Sequence, residues 1–446
     1  MVSASIVLTT MSAMIALGLL WGRPSNIGSI VSGLSVVFAM VPGLLFYAFG
    51  IEQFYSFRSI IAAGGYVYNP RLAEPTLLLM SLFTFVFCIG TALGLRRPSP
   101  PREADHILPS PRRVRAVQLA GLVLWVVLLA VYLMSSGADL TYAFLPSARP
   151  DLPGQSGYLY TLVMTIPFIL MITEAINPKR RRIRVLFFAL LGILACLTTH
   201  QRREIVTLLL IVTGILAFLP SLRRPDRLFW QPEMSRRMQR NVVLVGLAIG
   251  LATVPLAWYL RNWSASLVEG RDVNVFEIRS MLELLMGSPS TAFPTFVVIY
   301  DYVAKFGAQP GTFFLQLFST PIPRAWWPDK PGDIDAVLQT TYGLSENPST
   351  FWMGEFYFNY GVFGVFASGV AGYLLTRIHL SSATSGNLYY RAIAVLIFAY
   401  SITMFKNGLY LSVNRFGVAV VVLYLAARYM KITPRYLHGE RFRRRP

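Results

Sequence analysis

Apolar residues run along this chain in long uninterrupted blocks, separated by short polar connections rich in arginine. A block of about 18 or more apolar residues is long enough to cross a hydrocarbon core of about 30 Å. In lipid only helices and closed barrels satisfy every backbone polar group, and the strict alternation of a membrane barrel is absent here. The pattern therefore predicts an all-α polytopic membrane protein. Its spans fall near 3–21, 27–50, 76–95, 115–134, 157–176, 185–199, 204–220, 241–260, 353–376, 391–408 and 412–430. No A-x-A-like site follows the first block, which is expected to remain as a span rather than be cleaved as a signal peptide.

The chain divides by this pattern into transmembrane helices over 1–260, a large external loop over 261–352, and the last three spans with a basic tail over 353–446. The loop is too long for a simple connector. Its apolar stretches at 275–287, 293–306 and 311–319 predict short amphipathic helices lying on or dipping into the membrane interface. It then turns proline-rich, PIPRAWWPDKPGD at 321–333. No internal repeat stands out, which argues against an inverted-repeat transporter.

Composition agrees with the class: 54% of residues are hydrophobic and 14% charged, against about 25% charged in soluble domains. Cys88 and Cys196 both fall inside spans, so they report nothing on redox compartment and build no thiol metal site. The net charge of +19 is a topology signal. Most of the 40 Lys and Arg sit in alternate connections, such as KRRRIR at 179–184 and the arginine-rich tail. Cytoplasmic loops carry such an excess, which places the N-terminus outside and the C-terminus inside. Contact with anionic membrane lipids is expected. No compact basic domain exists to carry nucleic acid.

A minority of basic residues breaks the trend and remains on the outer side. Arg202 and Arg203 sit in the tight connection TTHQRRE, with His200 beside them. Lys406 and Arg415 bracket the turn FKNGLYLSVNR. Arg324 and Lys330 lie in the proline-rich stretch with Trp326, Trp327 and Asp329. Charges at membrane depth mark function more often than anchoring, and a guanidinium binds phosphate oxygens bidentately at any working pH. Such a cluster suits a diphosphate attached to a lipid. Trp326 and Trp327 would stack on sugar faces. Downstream, NPSTFWMGEFYFNYGVFG at 347–364 places Glu355 at the mouth of a span and Asn359 one turn below. No H-E-x-x-H, P-loop or G-x-S-x-G pattern competes, and no metal or other cofactor is expected.

PIPRAWWPDKP followed by PSTFWMGEFYFNYGVFG resembles the oligosaccharide repeat-unit polymerases, the Wzy-type O-antigen polymerases. Those chains show a loop ending in Pro-x-Lys-Pro and then a helix with Gly-Glu, Tyr, Asn and Gly at similar spacing. An arginine turn opening a mid-chain helix is also typical, and QRRE at 201–204 is similar. The likeness covers roughly 200–376. Many relatives have Gly or Ser before the arginine where this chain has Gln-Arg-Arg, which leaves open whether Arg202 or Arg203 is the working one.

The resemblance implies a metal-independent glycosyltransferase with a GT-C-like helical fold in a bacterial inner membrane, its active face external. Its donor would be a growing glycan on undecaprenyl diphosphate and its acceptor a single lipid-linked repeat unit, with a chain-length regulator protein as partner. Arg203 and Arg324 would stabilise the departing diphosphate, with Arg202 and Arg415 in support. His200, Trp326, Trp327, Asp329, Lys330, Asn359 and Lys406 would line the substrate site. Glu355 is the first candidate for the general base, ahead of His200 and Asp329. A ligase moving a finished glycan, or a transporter of lipid-linked sugars, would be the alternatives.

Overall fold

The computed structural model describes residues 4–23, 26–49, 69–96, 108–136, 157–198, 204–219, 292–319, 334–344 and 350–433, with a few isolated positions between them. The described residues are helical, without strands. Among the described residues, five helical segments are long and apolar enough to cross a membrane: Ala4–Gly22, Pro70–Arg96, Pro111–Met134, Trp352–Ala383 and Gly408–Met430. Large apolar side chains such as Leu119, Val123, Ile183 and Phe366 stand more than half exposed, as lipid-facing surfaces require. Helices occupy every predicted span except the eighth, near 241–260, which lies almost wholly outside the described residues.

The chain forms two units. The first comprises Met1–Pro98, Val243–His379 and Tyr400–Asn414. It holds α1 (Ala4–Gly22), α2 (Ile27–Ser35), α3 (Val41–Phe49) and α4 (Ala73–Arg96). A π-helical turn at Val36–Met40 joins α2 to α3. Helix α1 packs on α4 through a stripe of small residues, Ser5, Thr9, Ser12 and Ala16. Thr9 and Ser81 hydroxyls lie 2.7 Å apart, and Ser12 donates to the Ser81 carbonyl at 3.1 Å. Small and hydroxylated residues are the usual adhesive between helices in lipid, where apolar contact alone gives no preference for protein over solvent.

The same unit holds α9 (Ala292–Phe306), α10 (Thr312–Ser319), α11 (Ile334–Tyr342), α12 (Trp352–Tyr360) and α13 (Gly364–Ala383). Helices α9 and α10 match two of the three loop stretches; the third, 275–287, lies outside the described residues. Helix α9 is buried along most of its length and packs against α4 and α12. Its Phe296 contacts Phe83, Phe351 and Tyr357. Helix α11 carries no strong apolar pattern and was not expected. Helices α4 and α13 approach backbone to backbone. A Cβ on Gly90 would strike the Gly369 carbonyl, and one on Gly372 the Phe87 carbonyl.

The second unit comprises Ser99–Val242, Leu380–Ala399 and Arg415–Pro446. It holds α5 (Pro111–Ser136), α6 (Gly157–Ala175), α7 (Arg182–Thr198) and α8 (Glu204–Phe218). Neighbours in sequence pack as antiparallel neighbours. Trp125 donates its indole N–H to the Val163 carbonyl at 2.9 Å, tying α5 to α6. At the far end of α6, buried Glu174 accepts from Gln118, Asn177 and the Arg181 backbone at 2.7–3.0 Å, which fixes the turn into α7.

Helix α14 (Leu388–Met430) contributes to each unit. The sequence pattern predicts two spans here, 391–408 and 412–430. The structure has one helix broken at a single residue, Gly408, whose φ of 74° and ψ of 165° lie outside helical space. The span predicted near 353–376 likewise divides into α12 and α13, joined by a 3-10 turn at Gly361–Phe363. Gly361 has φ 55°, a conformation that costs glycine nothing.

Candidate functional site

In the first unit the break in α14 and the start of α12 meet at Glu355. Phe351 is extended (φ −109°, ψ 168°) and lets the chain enter α12, whose first turn carries the acid. Past Gly408 the helix starts again, so its first N–H groups have no partner on the preceding turn. Glu355 Oε2 accepts the backbone N–H of Tyr410 at 2.8 Å. The carboxylate thus caps a helix start contributed by a distant part of the chain, and the macrodipole there favours its negative charge. Gly408 is doubly required. Its positive φ disfavours any other residue, and a Cβ would meet Glu355 Oε1 and, at 2.9 Å, the Thr350 carbonyl. Asn359, fully buried one turn on, donates its amide to the Glu355 carbonyl at 2.9 Å.

A second polar cluster lies beside it in the first unit. Asp301 on α9 accepts from Lys305 Nζ at 2.6 Å and from the Tyr342 hydroxyl at 3.0 Å. Tyr342 meets Tyr66 edge-on, with centroids 4.9 Å apart. Lys305 stands 5.6 Å over the Tyr342 ring. Burial, and then the hydrogen bond to Asp301, push the Tyr342 phenol well above its ordinary pKa.

In the second unit the buried polar centre is Arg415. Its guanidinium donates to Glu204 Oε1 from one nitrogen and to the Tyr160 hydroxyl from another, and stands 5.3 Å over the Tyr160 ring. Glu204 accepts a further bond from Thr207 at 2.9 Å. Arg415 and Glu204 are both more than nine-tenths buried. Two opposite charges in so dry a place compensate one another, because either alone would carry an uncompensated desolvation cost. Glu204 opens α8, so the pair holds the start of that helix, which follows Gln201, Arg202 and Arg203 in sequence.

The structure therefore places Glu355, Asn359 and Arg415 in buried hydrogen-bonded settings, and Trp327 half-buried. His200, Arg202, Arg203, Arg324, Trp326, Asp329 and Lys330 lie outside the described residues. Lys406 lies on α14 with its side chain outside them. Glu355 and Asn359 come together on α12. Sequence reasoning missed Glu204, Tyr160, Asp301, Tyr342 and the Gly408 break. Glu204 had a readable signal, since an acid that opens an apolar span needs a cationic partner at that depth. Among the described residues no three His, Cys, Asp or Glu side chains are grouped so as to hold a metal ion. Comparison with known proteins finds no match: no family model, no curated protein and no solved structure matches the chain.

Proposed function

We propose that the protein polymerises lipid-linked oligosaccharide repeat units by glycosyl transfer on the outer face of a bacterial inner membrane, as a Wzy-type polymerase. The observation that supports this reading most is the buried guanidinium of Arg415, held by the acid that ends the Gln-Arg-Arg turn. The pair holds the start of α8, the helix that follows Arg202 and Arg203 in sequence. In the proposed reaction the acceptor hydroxyl oxygen attacks C1 of the donor sugar. The C1–O bond to the diphosphate breaks, its electron pair leaves with the lipid diphosphate, and the hydroxyl proton passes to a base.

Arg203 and Arg324 are the proposed partners of the leaving diphosphate, whose growing charge a preorganised guanidinium stabilises. Arg202 supports them, Arg415 acts from its buried position, and Glu355 is the proposed base. A carboxylate has lone pairs enough to accept both the Tyr410 N–H and a proton. A second reading of Glu355, as a purely structural cap on α14, is favoured by that same bond.

The experiment is to compare lipid-linked glycans in cells with and without the protein. Accumulation of a single lipid-linked unit, reversed by the intact chain, is the expected result. Accumulation of long lipid-linked polymer would reassign the protein as a ligase. Single units confined to the inner leaflet, rather than exposed on the outer one, would make it a transporter.

A further inference from the structure

The second unit contains a cavity of about 540 Å³ between the start of α5 and the end of α14, lined by Arg113, Leu425, Arg428, Tyr429 and Lys431. That size falls within the range of small-molecule sites, roughly 300–1,000 Å³. Among the described residues that line it, three of the five are cationic and none is acidic. The helix macrodipole explains only part of this. Arg428 and Lys431 sit at the C-terminal end of α14, where positive charge is favoured. Arg113 sits in the first turn of α5, where the dipole opposes a cation. Convergence of three like charges from two helices on one cavity is unfavourable unless an anion neutralises them.

The surroundings specify the kind of anion. Lys431 takes a left-handed conformation (φ 59°, ψ 36°) that closes α14 with its N–H on the Ala427 and Arg428 carbonyls. The backbone of Lys431 is thus fixed at the helix end. Below it Val421, Leu425 and Tyr429 recur every fourth residue, each more than half exposed. They form an apolar stripe about 12 Å long that leads from the cavity along the helix. A ligand fitting both parts has an anionic head and an acyl chain lying on the stripe. Tyr429 stands at the junction, where amphipathic rings belong.

We propose that this cavity binds the phosphate of an anionic phospholipid headgroup. Arg113 and Arg428 grip the phosphate oxygens, Lys431 adds a point charge, and the acyl chains follow Leu425 and Val421. Neutral phospholipids lack the net charge that the three cations require.

The test uses the full-length protein, purified in detergent, stripped of lipid and titrated with phosphatidylglycerol under native mass spectrometry. Phosphatidylcholine is the neutral control and glycerol 3-phosphate the soluble one. We expect phosphatidylglycerol to bind at least tenfold tighter than phosphatidylcholine. The variant R113Q/R428Q/K431Q should weaken it about a hundredfold, since each cation near anionic lipid contributes about fivefold. The variant R428Q/K431Q alters only exposed side chains and keeps the fold, and should lose about 25-fold. Equal binding of the two lipids, or equal phosphatidylglycerol binding by the intact chain and R428Q/K431Q, would overturn the proposal. Glycerol 3-phosphate binding as tightly as the lipid, with the same sensitivity to R428Q/K431Q, would overturn the lipid assignment in favour of a soluble phosphate.

Discussion

The carboxylate of Glu355 accepts the backbone N–H of Tyr410 at 2.8 Å, joining the first turn of α12 to the restart of α14. The bond exists because Gly408 interrupts α14 and leaves the next turn's donors without intrahelical partners. Within a membrane-spanning segment, water does not supply the missing acceptor. An acid from another helix does so here. This gives Glu355 a structural task whatever its chemical one, and the two are separable by mutation.

Gly408→Ala should destabilise the protein more than an ordinary glycine replacement. The backbone conformation at Gly408, φ 74° and ψ 165°, is open to essentially glycine alone and costs another residue about 1–3 kcal/mol. The added Cβ also meets the Thr350 carbonyl at 2.9 Å and the Glu355 carboxylate, so the cap must shift. Thermal unfolding in detergent should show a clear drop in Tm for Gly408→Ala. A Tm equal to that of the intact chain would mean that the break in α14 is not needed.

Glu355→Gln and Glu355→Ala should part company. The glutamine keeps an oxygen that accepts the Tyr410 N–H, so its Tm should stay within a few degrees of the parent. Alanine leaves that donor buried and unpartnered, at a cost of about 1–3 kcal/mol. If Glu355 is also the general base, Glu355→Gln should lower polymer synthesis per folded molecule by about 100-fold or more. Normal turnover in the glutamine variant, with lowered stability in the alanine variant, would leave Glu355 as a cap alone.

How much of this was legible beforehand follows from what each feature depends on. Helices and their approximate limits depend on runs of apolar residues, which the sequence displays directly; α4, α5 and α8 lie where the pattern puts them. Glu355 and Asn359 were singled out as an acid and an amide at the mouth of a span. Their partners were not legible, because Tyr410 contributes only a backbone N–H, which no residue type announces. The partnership of Arg415 with Glu204 spans 211 residues of chain, and nothing local to either one fixes it. Arg415 itself stood out as a cation that, with Lys406, brackets FKNGLYLSVNR on the side where basic residues are few. Burial of α9 escaped because an amphipathic helix shows the same apolar pattern whether its apolar face meets lipid or other helices.

Tyr342 should titrate late. Its folded pKa is raised by burial and by Asp301. A raised folded pKa favours the protonated phenol in the native state. The resulting stability is fully present below the unfolded value near 10 and is lost as pH climbs through the folded value. Ultraviolet difference spectra at alkaline pH should lose the amplitude of one late-ionising phenol in Tyr342→Phe. Asp301→Asn should move that ionisation to lower pH without abolishing its delay, because burial remains. A titration unaltered by Tyr342→Phe would show that the late phenol lies elsewhere.

The pair Arg415–Glu204 offers the sharpest separation of scaffold from chemistry. Each side chain is within a few percent of full burial, so removing one partner leaves the other charge uncompensated. Such single removals cost about 3–5 kcal/mol. Arg415→Met and Glu204→Leu should each lower Tm strongly. The double variant should recover much of the loss, because two apolar side chains of similar volume replace a desolvated pair. Arg415→Lys keeps the charge but cannot reach both Glu204 and Tyr160 with a planar fork. It should fall between the parent and Arg415→Met in stability. Arg203→Lys provides the contrast, because it alters the adjacent turn and leaves the buried pair intact. If that turn grips a diphosphate, Arg203→Lys should keep the parental Tm and lose polymer synthesis. Synthesis at parental levels in Arg203→Lys, together with recovered synthesis in the Arg415→Met/Glu204→Leu double variant, would leave the pair as scaffold and remove the turn from the reaction.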